Sequence, residues 1–141
     1  MYPIAAGIVV QTRELWDELN RSLQDLSVRL LFELSELPPD WAAFLDRIDR
    51  VRPDVILLDV TKLREPLEDV VRKIRSTSAQ PAVFALHTTA EPAAILEALR
   101  AGASEFLYPP LQDALKAALA YARPGRIAPA SFHGEESFTS C

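Results

Sequence analysis

The stretch Arg52-Pro53-Asp54-Val55-Ile56-Leu57-Leu58-Asp59-Val60 decides how this chain folds. Residues 55–58 are all branched aliphatics without polar alternation. That is the pattern of a strand buried on both faces, in the middle of a parallel sheet. The run ends by presenting one carboxylate, Asp59. In open parallel sheets, ligands and chemistry gather outside the carboxyl ends of the strands. Asp59 therefore stands where a reactive carboxylate, or the remnant of one, is expected.

Outward from this strand, strand-like and helix-like segments alternate along the whole chain. Residues 4–10 form a short apolar strand, and Thr12 is placed to cap a helix carrying Leu15, Trp16, Leu19 and Leu23 at helical intervals. Residues 28–34 read as a second strand with Leu30, Leu31 and Phe32 consecutive. Pro38-Pro39 breaks the chain, and Asp40 caps a helix that turns Trp41, Phe44, Leu45 and Ile48 inward. After the Asp59 strand, Pro66 suits the first position of a helix through Val70, Val71 and Ile74. Residues 81–86 form the fourth strand. Pro92 then opens a helix with Ile95, Leu96 and Leu99 on its apolar side, and Gly102 stops it as the residue that tolerates a left-handed cap. Residues 105–108 make a short fifth strand, and residues 111–121 a final amphipathic helix. Trp16 and Trp41 read as core or edge packing. Strand–helix units with short links predict an α/β fold, a doubly wound five-stranded parallel sheet of order 2-1-3-4-5 with helices on both faces.

Composition narrows the function classes. A chain of 141 residues that is 49% hydrophobic fits one compact domain, here residues 1–121. A net charge of −5 and a pI of about 5.0 speak against a nucleic-acid partner. No apolar run is long enough to span a bilayer, and the N-terminus lacks a signal-peptide pattern, so a cytoplasmic protein is expected. The one cysteine, Cys141, excludes a disulfide framework and a cysteine-based metal cluster. Residues 122–141 hold Pro124, Gly125, Pro129 and Gly134 without helical period, and read as a flexible tail or linker. His133, Glu135 and Glu136 within it read as solvated polar residues rather than a metal site.

Three segments carry a family resemblance: Pro53-Asp54-Val55-Ile56-Leu57-Leu58-Asp59, Pro81-Ala82-Val83-Phe84-Ala85-Leu86, and Ala98-Leu99-Arg100-Ala101-Gly102-Ala103-Ser104-Glu105-Phe106-Leu107. Through them the chain resembles the response-regulator receiver domain, the CheY-like module, over residues 4–121. The resemblance implies a flavodoxin/CheY-like sheet that accepts a phosphoryl group from a histidine kinase on Asp59, with Mg²⁺ bound alongside. It assigns a metal-binding backbone carbonyl to Thr61, a phosphoryl-contacting hydroxyl to His87 or Thr88 (the candidate hydroxyl being Thr88), and a switch aromatic to Phe106. It also demands an acidic pair after the first strand and a lysine after the fifth.

At those last positions the chain departs from the family. Gln11-Thr12-Arg13 stands in place of the acidic pair, the nearest acid being Glu14, inside the expected helix; Pro109 stands in place of the lysine, followed by Pro110. Mg²⁺ wants hard oxygen ligands, usually carboxylates, and phosphoryl transfer is catalysed mostly by positioning and charge neutralisation. Single charge-stabilising groups are worth about 2.7–4 kcal/mol in catalysis. The chain thus reads as a degenerate receiver, not an enzyme, with no cofactor. Mg²⁺ at Asp59 and Thr61, and a histidine kinase partner, belong only to the alternative of a working phosphoacceptor. Arg13, Lys62, Arg64 and His87 read as solvated groups, though each is a conceivable substitute for the missing charge.

What remains is a surface. In receivers the fourth helix, fifth strand and fifth helix form a partner face, which here spans residues 91–121. It holds Tyr108, Pro109, Pro110 and Leu111 as an apolar, rigid junction and implies a homodimer or another protein partner. Missing acids together with Leu107-Tyr108-Pro109-Pro110-Leu111 are similar to the atypical receiver of TadZ/CpaE-type pilus-assembly proteins, where a MinD-like ATPase follows. No GxxxxGK[ST] phosphate loop occurs in the 141 residues. A flavodoxin-like ligand site would want glycine after the first strand, and Gln11-Thr12-Arg13-Glu14 has none.

Overall fold

In the computed structural model, which describes residues 3–122, strands and helices alternate without exception. They are β1 (Ile4–Val9), α1 (Arg13–Gln24), β2 (Val28–Leu34), α2 (Trp41–Val51), β3 (Val55–Asp59), α3 (Leu67–Arg75), β4 (Ala82–Leu86), α4 (Pro92–Ala101), β5 (Glu105–Leu107) and α5 (Gln112–Tyr121). The strands form one parallel sheet of order β2-β1-β3-β4-β5, the doubly wound topology expected from the sequence. Apart from Ala122, the expected tail, with His133, Glu135, Glu136 and Cys141, lies outside the described residues.

Burial follows strand position. Every residue of β1 and β3 is buried, as the unbroken apolar runs require for central strands. On the edge strand β2 only Phe32 is fully buried; Leu31 packs against the same core half-buried, and Leu30 is exposed. On one side of the sheet Leu15 and Leu19 of α1 and Leu115 and Leu119 of α5 close over Ile8 and Leu57. On the other, Phe44 and Ile48 of α2, Val70 and Ile74 of α3 and Ala98 of α4 close over Ile56, Leu58 and Phe106.

Most helix boundaries have the chemistry expected of them. Asp40 accepts a hydrogen bond from the Ala43 N–H at 3.1 Å, Pro92 opens α4, and Gly102 closes it with φ of +89°. Two differ. Thr12 is the N-cap of α1 but its side chain makes no capping bond, and Pro66 is the residue before α3 rather than its first.

The structure decides the burial of the apolar residues on α4, and it corrects one expectation, at Leu111. On α4 the buried residue is Ala98; Ile95 is half-buried, and Leu96 and Leu99 are 44% and 53% exposed. The helix lies at the end of its layer, packed against α3 and β5, so part of its apolar stripe has no neighbour among the described residues. Leu111, expected on a partner face, is completely buried against the α1 and α5 side of the sheet. Its N–H donates to Glu18 Oε2 on α1 at 2.9 Å, which pins the start of α5 inward. Tyr108 and Pro109 are half-buried and Pro110 is exposed. Among the described residues, no helix is long and apolar enough to cross a membrane.

Candidate functional site

The carboxyl ends of β1 and β3 meet at Asp59, whose side chain is only 7% exposed. Its Oδ2 accepts from the backbone N–H groups of Gln11 at 3.1 Å and Thr12 at 2.8 Å, and its Oδ1 accepts from Thr61 N–H at 2.9 Å. Thr12 begins α1, so the carboxylate also lies where unpaired amides and the helix dipole favour an anion. Burial pushes the Asp59 pKa up, but the Thr61 and Thr12 N–H bonds outweigh it and hold the group below the ordinary carboxylate value. Neither the Thr12 nor the Thr61 Oγ1 has a hydrogen-bond partner among the described residues.

This donor set does not fit Mg²⁺. The ion needs oxygen lone pairs, whereas positions 11 and 12 turn N–H donors towards Asp59. Glu14 is exposed on α1. Among the described residues, no three His, Cys, Asp or Glu side chains stand close enough together to hold a metal.

The β4 end carries both candidates for the hydroxyl position. Asp59 is the register partner of Leu86, and Val60 N–H donates to the Leu86 carbonyl at 2.8 Å. His87 follows directly. Its N–H donates to the Leu107 carbonyl at 3.0 Å, and its ring stacks on Phe106 with centroids 6.1 Å apart. Its Nδ1 accepts from Thr89 N–H at 3.1 Å. Thr88 is half-buried and makes no hydrogen bond among the described residues. Geometry therefore brings His87, not Thr88, to the aromatic. Phe106 itself is completely buried and packs at 6.3 Å from the Tyr108 ring. Arg13 turns to solvent beside Asp17 on its own helix.

Beside Asp59 lies a crevice of about 430 Å³, lined by the end of β1, the 35–39 loop, Trp41, and the 62–65 loop. Its outer wall is a cluster that sequence reasoning did not find. Trp41, read as packing, does pack on Phe44 at 5.6 Å, but its Nε1 also donates to Glu65 Oε1 at 3.2 Å. Lys73 Nζ stands 4.5 Å over the same indole and 3.7 Å from Glu65. These three residues come from two helices and a loop, and no spacing in the sequence announces them.

No family model and no curated protein matches the chain. Solved structures do. The signal receiver domain of the response regulator NarL from Mycobacterium tuberculosis superposes with a TM-score of 0.68 at 26% identity, over 88% of this chain and 99% of that one. The receiver domain of RcsB from Salmonella enterica serovar Typhimurium gives 0.66 at 15% identity, over 90% and 93%. A pilus assembly-related protein from Burkholderia pseudomallei gives 0.61 at 22% identity, over 83% and 90%.

Proposed function

We propose that this chain, a response-regulator receiver domain, works as a phosphorylation-independent interaction module that pairs with a second copy of itself through α4 and its flanks. The observation that carries the reading is the state of Asp59: its carboxylate accepts three backbone N–H bonds, and among the described residues no acidic cluster stands with it to recruit a metal. Pro109, in the place the resemblance reserves for a lysine, supplies no ammonium. A carboxylate bound in this way is a structural latch between β3 and the start of α1. A pilus or related assembly role is in keeping with the TadZ/CpaE-like sequence pattern.

Incubation with acetyl phosphate and Mg²⁺, read by intact-protein mass, tests the absence of phosphorylation. No phosphoryl adduct is expected under conditions that label an ordinary receiver. An adduct that disappears in Asp59→Asn and in metal-free buffer would establish the working phosphoacceptor instead.

The pairing has its own test. Leu96 and Leu99 lie one turn apart on the exposed side of α4, and burying a leucine is worth about 1.5–3 kcal/mol. Sedimentation velocity is expected to show concentration-dependent dimers, and the double change Leu96→Glu, Leu99→Glu to weaken them at least about tenfold without unfolding the helix, since glutamate is a good helix former. Parent protein that stays monomeric at high concentration, or a variant that dimerises equally well, rules the α4 pairing out.

A further inference from the structure

In a sheet of order β2-β1-β3-β4-β5, the connection after β1 runs to one side, to β2, and the connection after β3 to the other, to β4, so the crevice of the fold opens between β1 and β3. The 430 Å³ crevice lies there, with the register partners Val9 and Leu58 in its lining. Its size falls within the usual range for small-molecule sites, and its lining is mixed, with the apolar Leu37, Pro38, Trp41 and Leu63 beside several charged side chains. Leu37 and Pro38-Pro39 form one wall and Leu63 the other, with the Trp41 indole held in place by Glu65 and Lys73.

The charges of the crevice divide into those already engaged and those that are not. Asp59 already accepts three N–H bonds, and Glu65 is held by Trp41 and Lys73. Lys62 and Arg64, both exposed on the same loop, have neither an ion pair nor a hydrogen bond among the described residues; Glu36, across the opening, has none either. Unengaged cations thus outnumber the unengaged anion at a crevice that also offers the partly buried Leu37, Leu63 and Trp41 side chains. We infer that this crevice binds a small amphipathic organic anion, an apolar, ring-sized body set against Leu37, Leu63 and Trp41 with its acidic group between Lys62 and Arg64.

The inference is independent of the α4 pairing, although the two surfaces adjoin. The loop carrying Lys62 and Arg64 leads into α3, whose first N–H donates to Glu97 on α4 at 3.5 Å.

Titration of the ¹⁵N-labelled chain with 1-naphthalenesulfonate tests the site. The neutral 1-naphthalenemethanol and inorganic phosphate serve as comparisons, and the variant Lys62→Ala, Arg64→Ala as control. Both substitutions fall on exposed loop residues, so folding is not at stake, and the unliganded spectrum checks it. Expected are saturable shifts at the Leu37 and Leu63 amides and the Trp41 indole N–H. Affinity for the sulfonate should fall about tenfold in the variant, while that for the neutral probe stays the same. Shifts confined to α4, phosphate binding as tightly as the sulfonate, or equal sulfonate affinity in parent and variant would each overturn the assignment. So would the absence of shifts at millimolar probe.

Discussion

Alanine at position 7 is expected to cost this domain about 1–3 kcal/mol, the range typical of an overpacked core. Gly7 lies in β1 directly under the Phe32 ring of β2, and a Cβ built there falls 2.6 Å from both Cε1 and Cε2 of that ring. The ring has nowhere to retreat. It is 4% exposed, meets Phe44 edge-on at 5.8 Å, and carries the Arg47 guanidinium 5.0 Å above it. The β1–β2 register shifts between Ala6 and Gly7, so the strand has already adjusted to the close approach. Urea unfolding of Gly7→Ala would measure the loss, and adding Phe32→Leu should restore part of it by removing the clashing atoms. A single variant within about 0.5 kcal/mol of the parent, the range of ordinary surface changes, would show that the ring yields freely.

The second large effect concerns Asp59→Asn, expected to destabilise by about 1–3 kcal/mol at pH 7. That is the scale for disturbing a buried, charge-assisted hydrogen-bond set. Asparagine keeps one acceptor oxygen but replaces the other with an NH₂ that opposes N–H donors. The pH dependence follows from the direction of the shift. Because the folded-state pKa lies below the ordinary carboxylate value, the ionised form is preferred in the folded state. Its contribution is therefore complete above that value and is lost as pH falls through the lowered folded pKa. The stability gap between parent and Asp59→Asn should stay constant from pH 7 down to about pH 5 and close on further acidification, as read by denaturation midpoints across the series. A neutral or stabilising substitution at pH 7, or a gap that ignores pH, contradicts the latch.

The latch also shows where sequence reading ends. Asp59 was found from local pattern, because a central strand of a parallel sheet must be apolar on both faces and its polar terminus then stands out. What the carboxylate binds was not legible. Its partners are backbone N–H groups at separations of 47 and 48 residues, and every residue but proline has such a group. Residue type accordingly carries no trace of the contact. The Trp41–Glu65–Lys73 cluster escaped for a related reason: its members meet only because α2 and α3 lie side by side over the sheet.

Apolar residues divide in the same manner. Helical spacing put Ile95, Leu96 and Leu99 on one side of a helix, yet spacing cannot say whether anything covers that side. The end position of α4 in its layer leaves Leu96 and Leu99 uncovered. Leu111 went the other way, from an expected partner contact to full burial, because Glu18 on α1 takes its N–H and draws the start of α5 onto the core.

Local chemistry therefore determined the order of elements, the parallel doubly wound sheet and the place of Asp59 at a strand end. Periodicity, proline, glycine and capping residues act within a few residues of chain, and the crossover rules admit few topologies. Only the tertiary structure decided which N–H groups hold that carboxylate, that His87 rather than Thr88 stacks on Phe106, and which leucines face solvent. Each of these depends on contacts between elements far apart in the chain, where geometry rather than residue type selects the partner.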